Sequence, residues 1–412
     1  MMNDTFYDSL ETRDPEQRER DLFQALSSQL ANAREYAPYL AQLLQDHAPA
    51  EVNSRAALAR LPVTRKSDLM ALQADAPPFG GLAATPLSDL ARVFASPGPI
   101  FEPEAQRADF WRVARALYAA GFRRGDLVHN TFSYHFSPAG SMMETGAHAL
   151  GCAVFPAGVG QSELQVEAIA RLRPVGYTGT PSFLRIILDK AVELGADVSS
   201  IAKALVSGEA LPPSVRNDLR QRGVMVLQCY ATADLGLIAY ESAAMDGLII
   251  DENVIVELLR PGTGDPVEDG EVGEVVVTTL NPDYPLIRFA TGDLSALLPG
   301  ASPCGRTNMR IRGWMGRADQ STKVRGLFVH PSMVARVVKR HPELGRARLE
   351  VSNADGADAM TLRCEAAGDE ALKSAVEATI RDITKLRGEV EFVAPGTLPN
   401  DGKVIDDVRR YD

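Results

Sequence analysis

The chain is poor in cysteine: Cys152, Cys229, Cys304 and Cys364 are the only four in 412 residues, and they lie far apart. None forms a C-x-x-C pair, which removes a zinc ribbon or a redox dithiol, and a disulfide scaffold of this length is implausible. Buried or half-buried thiols in a reducing compartment are expected. The six histidines include no H-E-x-x-H. Positive charge is also scarce: 43 Lys+Arg face 54 Asp+Glu, a net charge of −11. That balance argues against nucleic acid as a partner. No apolar run approaches the roughly 18 residues of a membrane span. Asp4, Asp8, Glu11, Arg13 and Asp14 leave no room for a secretory apolar region. A cytoplasmic protein without a membrane partner is the expectation.

Several common signatures are missing. Gly396 and Gly402-Lys403 imitate a phosphate-binding loop, but the glycines are one residue too far apart and Val404 stands where Ser or Thr is required. Gly158-x-Gly160 is followed by Glu163 in place of a third glycine, and no G-x-S-x-G elbow occurs.

What is present is ordinary globular material, 45% hydrophobic and 24% charged, long enough for about two to three domains at roughly 150 residues each. Asp14, Pro15 and Glu16 start a helix whose apolar face is Leu22, Phe23, Leu26 and Leu30, ending or bending at Pro38. Residues 77–103 read as loop with short strands. From Glu104 the pattern alternates: a helix closed by Gly121, a strand at 126–132, a helix closed by Gly151, a strand at 152–156, then a helix opened by Ser162 with Gln165 as a capping box. Further strands at 176–178, 204–207 and 224–229 imply right-handed crossovers and a mostly parallel sheet, with function at the loops after the strands. Beyond Asp246 the period turns towards two, with strands at 254–259, 273–279 and 286–290 in a barrel-like region. The last ninety or so residues read as a separate small α+β unit. The expected fold is α/β, with domains 1–318 and 319–412 and a seam at Gly316–Asp319.

Five segments are too unusual for packing alone: Ser207-Gly208-Glu209-Ala210-Leu211, Tyr230-Ala231-Thr232-Ala233-Asp234, Arg288-Phe289-Ala290-Thr291-Gly292-Asp293, the stretch from Gly316-Arg317 to Lys323-Val324-Arg325-Gly326, and Pro399-Asn400-Asp401-Gly402-Lys403. In that order and spacing they resemble the core motifs of the acyl-adenylate-forming (AMP-binding) superfamily, and specifically its phenylacetate–CoA ligase branch. The similarity covers the chain from about Val93 onward.

The resemblance implies roles. Asp293 matches the carboxylate that accepts both ribose hydroxyls, a task suited to an acceptor-only group. Arg317 matches a second ribose or phosphate contact, and Asp319 the hinge of the small domain. Gly208, Glu209 and Ala210 match the adenine-side loop, and Tyr230, Ala231 and Thr232 the strand end against which adenine stacks. Asp234 stands where the family has a magnesium-binding Glu; either carboxylate offers the hard oxygen that magnesium prefers. Lys403 matches the catalytic lysine that bridges the substrate carboxylate and the α-phosphate, where a cation reduces repulsion between two anions. Lys323, Arg325, Lys339 and Arg340 are candidates for CoA phosphates, with solvated surface as the alternative. The implied function is an AMP-forming acid–CoA ligase using ATP, Mg2+ and CoA on a small aromatic, arylacetate-like acid. Alternatives stay open: a carrier-protein thiol or an amine as acceptor, a catalytically silent nucleotide- or acyl-binding protein, and a homodimer.

Three departures stand out. The family's hydroxyl-rich phosphate loop is replaced by Ala95-Ser96-Pro97-Gly98-Pro99-Ile100-Phe101-Glu102, whose prolines have no N–H to donate. Ala233 also lacks the hydroxyl expected beside the α-phosphate. Ser242, Ile249 and Ser302 sit where some relatives place zinc ligands, leaving Cys304 alone, so no zinc is expected. For the acyl pocket, Tyr134, His135 and Phe136 after one strand and Gly179 after another are candidates. Aromatics at such positions serve equally well as core.

Overall fold

Asp14 starts the first long helix, Pro15–Tyr36, by accepting the Gln17 N–H at 2.9 Å, with Pro15 placed where its missing N–H costs nothing. Leu22, Phe23, Leu26, Leu30 and Ala33 form its buried face. Pro38 opens a second short helix, Pro38–Leu43. The computed structural model describes residues 5–96, 99–268, 270–318, 320, 322–324, 327–354 and 357–409. The chain divides into two units. One comprises Met1–Val256, Val277–Phe289 and Leu298–Gly313; the other comprises Glu257–Val276, Ala290–Leu297 and Trp314–Asp412.

The first unit is α/β, as its sequence pattern requires. Strands Leu127–Asn130, Ala153–Pro156, Gly176–Gly179, Lys203–Val206 and Met225–Thr232 alternate with helices Ala139–Ala149, Ser162–Leu172, Pro181–Leu194 and Pro213–Gln221. All neighbouring pairs among these strands are parallel: Leu127–Asn130 lies between Ala153–Pro156 and Gly176–Gly179, followed by Lys203–Val206 and Met225–Thr232. The sheet then turns antiparallel through Gly236–Tyr240, Leu248–Ile250 and Arg310–Ile311. One apolar cluster packs Phe110, Trp111, Phe122 and Leu205 together, and a second packs Tyr177, Leu184, Ile187 and Val226. Helix Pro181–Leu194 shows why these elements start and stop where they do: Thr180 Oγ1 accepts the Phe183 N–H at 3.3 Å, Pro181 takes the first position, and Gly195 ends the helix at φ +61°.

A capping expectation fails. Helix Ser162–Leu172 has no capping box: its N-cap is Gln161, at φ +49°, with no side-chain cap bond. Gln165 turns inward instead. Its Nε2 donates to Gly158 O at 3.0 Å and Gly160 O at 3.2 Å, and its Oε1 lies 2.5 Å from His129 Nε2. A buried histidine needed a partner, and that demand outweighed the local cap.

The second unit holds a four-stranded sheet in which Ala357–Glu365 pairs antiparallel with Ala347–Ala354 and parallel with Glu389–Val393, while Ile405–Asp407 adds on the other edge. Helices Pro331–Arg340 and Glu370–Thr384 cover it, burying Val334, Val337, Val376 and Ile380. Asp369 caps the second helix through the N–H groups of Ala371 and Leu372, at 3.1 and 2.9 Å, worth about 1 kcal/mol. Among the described residues no helix is long and apolar enough to cross a membrane.

Candidate active site

In the first unit the candidate residues lie at the C-terminal ends of the strands Leu127–Asn130, Gly176–Gly179, Lys203–Val206 and Met225–Thr232 or in the loops just after them. Gly208 follows Lys203–Val206 at φ +83°, and a Cβ there would meet Phe132 and Thr180 at 3.7 Å. Loops after three adjacent strands therefore meet at one point. Glu209 Oε1 accepts the Ser182 N–H at 2.6 Å, at the start of the neighbouring helix, and Gly208, Glu209 and Ala210 are all exposed.

Tyr230, Ala231 and Thr232 finish strand Met225–Thr232 and are half-buried. The chain then reverses tightly into Gly236–Tyr240. Thr232 Oγ1 accepts the Leu235 N–H at 3.2 Å, and Gly236 at φ +70° passes so close to Trp111 that a Cβ would lie 2.7 Å from its carbonyl oxygen. Only glycine makes that reversal.

Asp234 sits inside this turn, 4% exposed. Its Oδ2 is 2.6 Å from Lys66 Nζ, while Oδ1 has no hydrogen-bond partner. An orphaned oxygen on a buried carboxylate fits magnesium, which is commonly held by one or two carboxylates plus substrate phosphates. Lys66 was not legible from sequence, because 168 residues separate it from its partner and no motif marks it.

Glu102 and Tyr284 stand within electrostatic reach of Asp234, and Glu102 Oε2 and Tyr284 Oη are likewise buried and unpartnered. Burial, with a contribution from Asp234, pushes the Glu102 carboxyl up to about 7. Ser96, the one hydroxyl of the aberrant loop, donates to Glu102 Oε1, so its proton is already committed within the protein. Pro97 and Gly98 lie outside the described residues.

The proposed acyl-side residues divide. Tyr134, His135 and Phe136 are exposed, and Phe136 adopts φ +59°, a strained conformation for an aromatic residue. Tyr134 Oη donates to Glu144 at 2.8 Å and accepts from Asn130 Nδ2 at 2.8 Å, so the ring is held by its polar end. Burial and the neighbouring Glu144 raise its phenol above the ordinary range. Gly179 is different: it is buried, and a Cβ there would fall 2.1 Å from Thr131 Oγ1 and 2.2 Å from Tyr177 Oη.

In the second unit Asp293 Oδ1 accepts from Arg317 Nη1 at 2.9 Å and from Trp314 Nε1 at 3.1 Å. Gly292, at φ +76°, lets the guanidinium lie against the backbone; a Cβ would be 2.6 Å from Arg317 Nη2. Trp314 is half exposed, and its contact with Asp293 was not read from the sequence, although it is one of only two tryptophans. Arg288, close by in sequence, belongs to the first unit: it is 1% exposed and donates to Ala59 O at 2.8 Å and also to Leu61 O. Asp319 lies outside the described residues.

Lys403 is exposed, its ammonium 2.9 Å from Asp406 Oδ1. The turn presenting it is defined by Asp401 Oδ1, which accepts the Lys403 N–H at 3.0 Å, and by Gly402 at φ +72°. Cys304 sits among hydroxyls and a cation. Burial pushes its thiol up, but hydrogen bonds from Ser242, Ser302 and Arg306 prevail and bring it down to about 7.

Comparison with known proteins bears on the family and the fold. The profile of the AMP-binding enzyme family matches residues 106–281. The phenylacetate-coenzyme A ligase of Aromatoleum evansii is 32% identical over 333 residues, 77% of this chain and 74% of that protein. Its counterpart from Thermus thermophilus is 32% identical over 302 residues, 70% and 67% of the two chains. A crystal structure of an open conformation of 2-hydroxyisobutyryl-CoA ligase in complex with 2-HIB-AMP and CoA matches with a TM-score of 0.74 at 25% identity, covering 97% of this chain and 93% of that one. Adenylate-forming acid–thiol ligases of this kind use ATP, CoA and magnesium. The chain belongs to the phenylacetate–coenzyme A ligase family of AMP-binding enzymes.

Proposed function

We propose that the chain activates a small aromatic acid of the arylacetate type as its acyl-adenylate and transfers the acyl group to CoA. One observation carries the reading: Gly208–Ala210 follow strand Lys203–Val206, and Tyr230–Asp234 span the end of the neighbouring strand Met225–Thr232 and the turn after it, at the C-terminal edge of the parallel sheet, where this architecture binds ligands. The arylacetate class rests on the names of the relatives and on the exposed aromatic loop Tyr134–Phe136.

By their motifs, Tyr230 with Gly208–Ala210 in the first unit is the surface for adenine, and Asp293 with Arg317 in the second unit is the pair for ribose hydroxyls. A carboxylate oxygen of the acid attacks the α-phosphorus, the bond to pyrophosphate breaks, and Lys403 neutralises the approaching anions. Magnesium, when bound through the free oxygen of Asp234, supplies further charge neutralisation at the phosphates. The CoA sulfur then attacks the acyl carbon, its proton leaves to solvent, the bond from the acyl carbon to the phosphate oxygen breaks, and AMP departs. The acceptor is CoA, as in the relatives' names.

The test is pyrophosphate release across aromatic, arylacetic and short aliphatic acids, followed by detection of acyl-CoA. Arylacetates should be turned over with the highest kcat/KM. Preference for a short aliphatic acid would overturn the substrate class, and absence of acid-dependent pyrophosphate release would overturn the activity.

A further inference from the structure

Gln320 lies directly after the expected hinge residue, and its side chain spends its whole hydrogen-bonding capacity on two segments. Nε2 donates to Gly402 O at 2.9 Å and to Arg317 O at 3.2 Å. Oε1 accepts the N–H groups of Val404 and Ile405 at 2.5 and 2.8 Å. A primary amide is the side chain that can donate two protons through one atom and accept two through the other; Glu could only accept, and Met could do neither. Gln320 thus grips the backbone on both sides of Lys403 and ties that turn to the backbone of Arg317.

Among the described residues the Lys403 ammonium is held only by its neighbour Asp406, on an exposed surface. Its position is therefore set by the backbone turn, and the turn is set by Gln320, Asp401 and Asn400. Asn400 Oδ1 accepts the Val272 N–H at 3.2 Å and its Nδ2 donates to Gly270 O at 3.2 Å. Arg317 in turn bonds Asp293 at 2.9 Å. A continuous hydrogen-bonded path, Asp293–Arg317–Gln320–Gly402, connects the residue assigned to the ribose with the turn of the lysine assigned to the chemistry.

We propose that Gln320 is a positioning residue for the adenylation half-reaction, acting through the Lys403 turn to register its ammonium against a nucleotide held by Asp293 and Arg317. The proposal rests on the ligase reading above. It predicts an effect on one half-reaction only, because the lysine has no part in thioester formation. Misplacing a catalytic group by about 1 Å can cost 10²-fold in rate.

The experiment uses the full chain with Gln320→Ala and Gln320→Met, measured beside wild type and Lys403→Ala. Both Gln320 variants should lower kcat for acid-dependent ATP–pyrophosphate exchange by about 10²-fold, leave KM for ATP within about threefold, and leave thioester formation from preformed acyl-adenylate within about threefold. The thioester reaction doubles as the folding control. If the two half-reactions fall in equal proportion, Gln320 is merely structural, and if neither falls it positions nothing; either result overturns the proposal. Exchange surviving in Lys403→Ala would sink the role of the lysine instead, and wild type without exchange would sink the ligase reading.

Discussion

Arg317 Nη1 lies 2.9 Å from Asp293 Oδ1, and Trp314 Nε1 approaches the same oxygen at 3.1 Å, so the carboxylate that the family motif assigns to the ribose is oriented by two donors. Asp293→Ala should raise KM for ATP about 10- to 100-fold, the value of one or two charge-assisted hydrogen bonds at roughly 1.5–3 kcal/mol. Arg317→Lys should fall in between, since an ammonium lacks the planar fork. Steady-state kinetics at saturating acid and CoA checks both; an unchanged KM in Asp293→Ala would remove the ribose assignment.

Lys66 and Asp234 give a second expectation. Replacing Lys66 by Met leaves a buried carboxylate without its cation, a change that costs about 3 kcal/mol or more in comparable sites. Lys66→Met should therefore melt lower than wild type, and Mg2+ or Mn2+ should restore part of the loss by binding the freed carboxylate. Thermal melts with and without the metal decide it. A melting temperature indifferent to the cation would count against Asp234 as its ligand.

Gly179 leaves no room for a methyl group. Gly179→Ala would push a carbon to within 2.1 Å of Thr131 Oγ1, breaking the 2.8 Å bond between Thr131 and Tyr177, and should lose at least about 1–3 kcal/mol by denaturant unfolding. Gly208→Ala, with 3.7 Å of clearance but φ +83°, should lose about 1 kcal/mol and disturb nucleotide binding more than stability. The reverse ranking would contradict the packing described here.

Asp109 provides a pH signature. Burial pushes its carboxyl up to about 7, against the N–H groups of Ala114 and Val113 and the charge of Arg112, with Asp251 adding to the rise. The folded chain therefore keeps a proton that the unfolded chain releases near pH 4, so stability must fall as pH climbs from about 4 to 7 and level off above. Asp109→Asn keeps an acceptor for Ala114 and suits the left-handed backbone at φ +48°. Its urea-unfolding free energy, relative to wild type, should improve by a few kcal/mol between about pH 5 and 7.5. Parallel curves would place the ionisation elsewhere.

Much of this architecture was legible because local chemistry and tertiary demand agree. Strands Val254–Leu259 and Gly273–Thr279 form with the bounds that the sequence pattern predicts. Disagreement marks the misses. The strand expected at 286–290 begins at Phe289 because Arg288 adopts φ +44° to reach the Ala59 and Leu61 carbonyls. Gln165 abandons its cap for His129. At the site, ordered motifs pointed to Asp293, Arg317 and Lys403 through the resemblance they carry. The supporting contacts of Lys66, Trp314 and Gln320 were invisible, since each depends on a partner 168, 21 or 82 residues away.

Lys403→Ala, assayed separately in the two half-reactions, tests the central claim most directly. Acid-dependent ATP–pyrophosphate exchange should drop by about 10²–10³-fold, as for removal of a preorganised charge-stabilising group, while preformed acyl-adenylate still yields acyl-CoA at close to the wild-type rate. Equal loss in both steps, or exchange that persists, would contradict the assignment of that lysine to the first step alone.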